Sequence, residues 1–233
     1  MKTVEGQPSV SSNLTPAASV AGFPSCVPRR WRADHQSGTG SWYWRAPQRS
    51  RTTVNVIETK RLLLEPLDVS RLEDFVALTA DPDTMRYWAP GGPFSRDVAE
   101  RNFATSLARV REHGFGRRWI VAKETGAGLG FTDTKYFGQS CDDVSPDEVE
   151  IGWMLTPSAW GRGYATEAGS AIRDEAFDRL KLESIVAVHH PANAASGRVM
   201  EKLGMAFQRD AVSRNGWPFR LYRLTREQWG VKR

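Results

Sequence analysis

Residues 148–167 read EVEIGWMLTPSAWGRGYATE, and this stretch decides the fold. Its first eight residues have the apolar and aromatic content of a strand. A turn holding Pro157 follows, and Trp160-Gly-Arg-Gly-Tyr-Ala-Thr166 then leads directly into a helix with Ala165, Ala168, Ile172, Ala176 and Leu180 on one stripe. Glycines at 161 and 163 let the backbone approach a ligand closely and expose successive N–H groups. Those groups stand where a helix leaves its first N–H groups unpaired and its dipole is positive, which suits a pyrophosphate. Arg162 can supplement them from the side. Alone, a Gly-x-Gly at a helix start is a weak signal, because ordinary tight turns use it too. No Gly-Lys-Ser/Thr follows, so a nucleoside triphosphate loop is not indicated. The third glycine of a dinucleotide fingerprint is also missing.

The segments on either side extend this pattern. Residues 59–67 (TKRLLLEPL) form a strand-like run, and Ser70 with Glu73 reads as a capping box ahead of a helix carrying Leu72, Phe75, Val76 and Leu78. Residues 81–94 (DPDTMRYWAPGGPF) read as a loop, and Ser95 caps a second helix running to His113. Two short strands, 119–122 and 128–134, are joined by a hairpin signal. After residue 180, residues 184–188 look like a central buried strand. Residues 193–203 form a helix stopped by Gly204. Residues 207–212 and 220–224 pair around Asn215-Gly216. The order βααβββαβαββ gives an α/β (α+β) architecture with a mixed sheet flanked by helices.

Composition narrows the function classes. The 233 residues carry a net charge of +5, but residues 1–56 hold seven Lys/Arg and two acids, leaving 25 of each sign beyond them. The basic excess belongs to the N-terminal segment, and the remainder has no electrostatic footprint for nucleic acid. Residues 1–53, rich in Ser, Pro, Gly and Arg, read as a disordered or non-native N-terminal tail. Residues 54–233 form the domain. No apolar run approaches the ~20 residues that span a bilayer, and no signal peptide is visible. Cys26 and Cys141 are poorly placed for a disulfide, which fits a cytoplasmic location. The histidines at 35, 113, 189 and 190 show no metal-ligand spacing, so no metal is expected.

With EIGWML (150–155), WGRGYATEA (160–168) and PANAASGRVMEKLGM (191–205) in this order, the chain resembles the GNAT superfamily of N-acetyltransferases. It is most similar to the branch of ribosomal-protein N-terminal-alanine acetyltransferases. The likeness runs over about residues 56–230, from TKRLLLEPL to REQW. The family's pyrophosphate signature, Gln/Arg-x-x-Gly-x-Gly/Ala, falls on 160–165 with Trp160 at the first position, as this branch commonly shows.

The resemblance implies a GNAT-like, mostly antiparallel sheet and acetyl-CoA as donor. Backbone groups of Met154 and Leu155 would pair with the pantetheine arm as an added strand would. The N–H groups of Gly161, Arg162, Gly163, Tyr164 and Ala165, with the Thr166 hydroxyl, would hold the pyrophosphate. Asn193 would bond a pantetheine amide, and the alternative for it is a plain N-cap.

The acceptor is a primary amine, either a protein N-terminus or a small molecule, and a homodimer is left open. Its ammonium must lose a proton before it attacks the thioester, and Glu150 is the candidate base, sharing a strand face with Glu148. Ser196 is the candidate acid for the thiolate, because the usual tyrosine position holds Met200. A backbone N–H near Met154 could stabilise an oxyanion. Of His189 and His190 at most one can line the site, and both read as incidental. Met85, Tyr87, Trp88 and Phe94 either grip the acceptor or cover the core. The rival reading is a non-catalytic acyl-CoA-binding module, which would need neither Glu150 nor Ser196.

Overall fold

Short alternating strands bury one residue in two on each face, and here they join into one sheet with helices on both sides. The computed structural model describes residues 55–88, 91–137, 144–145, 147–213 and 216–231. In chain order the elements are β1 (Ile57–Glu58), β2 (Leu62–Pro66), α1 (Leu72–Ala80), α2 (Pro82–Met85), α3 (Arg96–His113), β3 (Arg118–Ala122), β4 (Gly128–Tyr136) and β5 (Val149–Leu155). They continue with α4 (Tyr164–Asp178), β6 (Ser184–His189), α5 (Ala194–Lys202), β7 (Ala206–Val212), β8 (Pro218–Thr225) and α6 (Arg226–Gly230). The strand order across the sheet is β1-β2-β3-β4-β5-β6-β8-β7, and every pairing is antiparallel except β5 with β6. The expected mixed, mostly antiparallel sheet is what the chain forms.

Two cores sandwich the sheet. On one face Ile151 and Leu155 of β5 join Ile120 of β3, Ala168, Ile172 and Ala176 of α4, Met200 of α5 and Leu203 just after it. On the other face Met154 joins Phe131 of β4, Phe75 and Leu78 of α1, and Phe103 of α3. Side chains 151 and 155 point one way and 154 the other, as strand alternation demands. Gly169 lets α5 close on α4: a Cβ there would stand 3.0 Å from Leu203 Cδ1.

The local signals differ from expectation in several places: the short β1 and α6 are not among the expected elements, and Ser95 stands at the N-cap of α3 without a side-chain capping bond. Ser70 does not open a capping box, because Asp68 accepts from the Ser70 N–H and starts a 3-10 turn, Val69–Arg71. Glu73 is drawn away to Arg96 at the start of α3. The 81–94 loop contains α2, capped by Asp81 Oδ1 accepting from Thr84 N–H at 2.7 Å. Gly204, at φ 84°, ends α5 in the left-handed conformation as expected. The expectations placed on residues 1–53, Cys141 and Asn215 lie outside the described residues. Among the described residues no helix is long and apolar enough to cross a membrane. No group of three or more His, Cys, Asp or Glu could hold a metal there.

Candidate active site

The site begins with a parting of strands. β5 pairs with β4 along its whole length, from Val149↔Tyr136 to Leu155↔Gly130. With β6 it pairs only at Val149↔Ile185 and Glu150↔Val186. Beyond Glu150 the two strands diverge, and the burial of β5 records the opening: Gly152 and Trp153 are half-buried between buried neighbours. Backbone groups along a strand face alternate sides. Glu148 C=O accepts from Phe137 N–H and Thr156 N–H donates to Leu129 C=O, so even-numbered positions face β4. Odd-numbered Trp153 and Leu155 therefore present N–H and C=O to the wedge. Leu155 thus lies on the open edge, whereas the Met154 carbonyl is turned to β4, 2.1 Å from where a Gly130 Cβ would stand. Trp153 is an edge residue that sequence reasoning did not single out.

At the mouth of the wedge sits the glycine loop. Gly161 and Gly163 have φ of 71° and 79°, conformations that side chains with a Cβ rarely adopt. A Cβ on Gly161 would meet nothing within 4 Å, so no protein contact excludes one. α4 makes its first backbone bond from Glu167 N–H to Gly163 C=O, leaving the N–H groups of Gly163, Tyr164, Ala165 and Thr166 without a helical partner. Trp160 is half exposed and folds back so that its indole N–H donates to Leu155 C=O at 2.8 Å. This bond fastens the loop to the end of β5. The Tyr164 ring is buried in the α4 core, so only its backbone faces outward.

Arg61, at the entry to β2, is the residue here that the motif did not reveal. Its Nη1 donates to the Arg162 carbonyl at 2.9 Å, and its Nε to Glu167 Oε2 at 2.6 Å. Its guanidinium lies 4.5 Å from the Tyr164 ring centre, with Arg162 5.0 Å from the same ring. Burial works to raise the Glu167 pKa, but hydrogen bonds from Thr59 Oγ1 and the Arg61 backbone and side chain hold it below the ordinary carboxylate value. A buttressed arginine pair thus brackets the loop. No local pattern could flag a partner about a hundred residues away.

Across the wedge, Asn193 caps α5: its Oδ1 accepts from Ser196 N–H at 3.2 Å. That bond leaves the amide NH2 of Asn193 as a donor. Ser196 lies in the first turn of α5, and no bond of its hydroxyl back to the helix occurs among the described residues. Met200, one turn on, is 2% exposed in the core. Glu148 is committed elsewhere, with both oxygens on the Arg223 guanidinium and a hydrogen bond from Ser184. Glu150 is buried 3.0 Å from Lys135 Nζ on β4. Its Oε2 nevertheless lacks a well-directed hydrogen bond, so the contact is an ion pair rather than a locked bond. The Glu150 charge, ahead of burial, raises the Lys135 pKa and keeps it an ammonium. Glu150 shares its face with Met154 and the α1–α3 core, whereas Ser196 stands on the α4–α5 side. The two groups flank the wedge from opposite faces of the sheet.

The aromatic loop divides. Met85 is fully buried, and Trp88 and Phe94 pack on the α1–α3 core. Tyr87 instead stacks on His190, 5.6 Å between ring centres with planes 19° apart.

Comparison with known proteins bears on the fold and the family. The family model described as "Acetyltransferase (GNAT) domain" matches residues 61–206. The chain is 28% identical to the uncharacterized N-acetyltransferase YnaD of Bacillus subtilis, covering 74% of this chain and 98% of that one. It also resembles the crystal structure of an acetyltransferase from Agrobacterium tumefaciens, with 28% identity, a TM-score of 0.62, and 80% and 99% of the two chains covered. The ribosomal-protein alpha-N-acetyltransferase RimL, solved with coenzyme A, shares the fold at 14% identity and a TM-score of 0.59, over 73% and 98% of the chains.

Proposed function

Since the chain belongs to the GNAT acetyltransferase family and is an acetyl-CoA-dependent N-acetyltransferase, we propose that it acetylates a primary amine by direct attack in the β5–β6 wedge. The acceptor is either a protein N-terminus or a small-molecule amine. The observation that carries this reading is the free edge of β5 beyond Glu150, which runs straight into the glycine loop. An extended arm laid along that edge would find the N–H and C=O groups of Trp153 and the N–H of Leu155, with its diphosphate over Gly161–Thr166.

Acetyl-CoA supplies the thioester: the amine lone pair bonds to the acyl carbon, the carbon–sulfur bond breaks, and the thiolate leaves. The N–H groups of Gly161, Arg162, Gly163, Tyr164 and Ala165, with the Thr166 hydroxyl, hold the diphosphate. Trp160 pins the loop to β5, and the Asn193 amide donates to the pantetheine arm. Met154 packs beneath the site through its side chain. The Leu155 N–H, on the open edge, is placed to donate to the carbonyl oxygen as charge builds on it. Glu150 takes the ammonium proton, directly or through water, from the α1–α3 side. Ser196 gives its hydroxyl proton to sulfur from the α5 side and regains one from solvent, while the nitrogen sheds its second proton to solvent water as the amide forms. Separating base and acid on opposite faces keeps the proton taken from nitrogen distinct from the one given to sulfur.

The test is release of free thiol from acetyl-CoA over a panel of amines. Thiol appearing only with an acceptor supports transfer. Glu150→Gln should lower the amine-dependent turnover by roughly a hundredfold at neutral pH while leaving acetyl-CoA affinity in place. Full turnover in that variant would remove Glu150 from the role of base.

A further inference from the structure

The face of the wedge that an amine would enter has a definite lining. Gly152 lies midway along β5 between Glu150 and Met154, on the α1–α3 side, and a Cβ there would meet nothing within 4 Å. Its backbone has no positive φ, so neither conformation nor packing of this chain demands the glycine. A hollow therefore stands over it. Strand alternation places Val186 and Val188 on this same face of β6, and His190 comes two residues after Val188, just past the strand's end.

Three chain segments meet beyond the end of β6. His190 follows the last residue of β6, Tyr87 follows α2, and Trp217 precedes β8. The His190 ring lies 5.6 Å from Tyr87, nearly parallel, and 4.8 Å from Trp217 at 46°. Its Nδ1 accepts from Ala192 N–H at 3.2 Å, which fixes the ring's orientation. All three side chains are half-buried, although neither loop aromatic belongs to a core cluster.

Charge on this face is already balanced. Glu150 faces Lys135, Asp133 faces Arg117 at 2.7 Å, and Glu148 holds Arg223. A polycationic acceptor would find no surplus of carboxylates on this part of β4 and β5.

We infer that the acceptor is a primary amine borne one or two carbons from a planar ring, and that the Tyr87–His190–Trp217 wall holds the ring while the nitrogen reaches over Gly152. The inference rests on the acetyl-transfer reading and adds its substrate class. Ring stacking supplies a preference that shape and dispersion set and that salt leaves unchanged. The chemistry is shared by free arylalkylamines and by peptides beginning with an aromatic residue.

The experiment compares full-length protein on 2-phenylethylamine and n-hexylamine, and on two tetrapeptides that begin with Phe and with Ala. The expected result is a kcat/KM about tenfold higher for the aromatic member of at least one pair, carried by KM. Whichever pair shows it identifies the source. Tyr87→Leu and Trp217→Leu, on separate loops, should each shrink that ratio while acetyl-CoA affinity, measured by calorimetry, stays at the native value and reports an intact fold. Equal kcat/KM within both pairs overturns the inference, as does a preference that survives both substitutions. No thiol release with any amine, despite acetyl-CoA binding, overturns the transfer reading and the inference with it.

Discussion

Gly163 caps α4 with φ 79°, and an added Cβ would come 3.4 Å from the Nη2 of Arg61. A β-branched side chain in that conformation is strained by about 1–3 kcal/mol. It would also push on the arginine that fastens the loop. Gly163→Val should therefore weaken acetyl-CoA binding at least tenfold in calorimetry, with a smaller effect on the turnover of bound donor. Native affinity in this variant would mean that the loop does not hold the diphosphate. The glycine was legible in the sequence because its requirement is local, a left-handed residue at a helix entrance. Arg61 and Lys135 were not, because a charge partner brought in by another strand leaves no mark beside the residue it serves.

The element that keeps the acceptor face in shape is the contact of α1 and α3 with β4. Arg117 is buried over the Phe131 and Phe75 rings, 4.1 and 5.1 Å from their centres, and bonds Asp133 at 2.7 Å and Asn102 Oδ1 at 3.1 Å. Burial works to raise the Asp133 pKa, but the charge of Arg117, then that of Lys135, brings it below the ordinary value. Asp133→Asn leaves a buried guanidinium without its counter-charge, which should cost about 3–5 kcal/mol in urea denaturation at neutral pH. The pH dependence has a definite sign. A carboxyl whose folded pKa is depressed gives stability above its unfolded pKa of about 3.9, and this is lost as pH falls through the folded value. The variant should therefore lose less stability than the native chain below about pH 4. An equally steep acid limb in both would remove Asp133 from that role. At this scale the sequence predicted strands and helices well, because a period of 2 or 3.6 survives any packing. It failed at Ser70 because Glu73 had a better partner in Arg96, whose position the local pattern does not contain.

Across the whole molecule the charge is unevenly spread, with the basic excess in residues 1–56 and a neutral remainder. A chain beginning at Val54 should keep the native Kd for acetyl-CoA and its amine-dependent thiol release. A large loss of either would make residues 1–53 part of the catalytic unit. The sequence by itself determined the order of the larger elements, though not the short β1, α2 and α6, together with the glycine loop and the family, because each is written in motifs whose residues lie within one turn or one strand of each other. Only the tertiary structure decided where β5 leaves β6, which backbone groups face the gap, that Glu148 is bound to Arg223, and that Tyr87, His190 and Trp217 meet. The physical reason is that strand divergence and long-range side-chain pairing depend on how distant segments share a sheet. Local propensity does not encode that sharing.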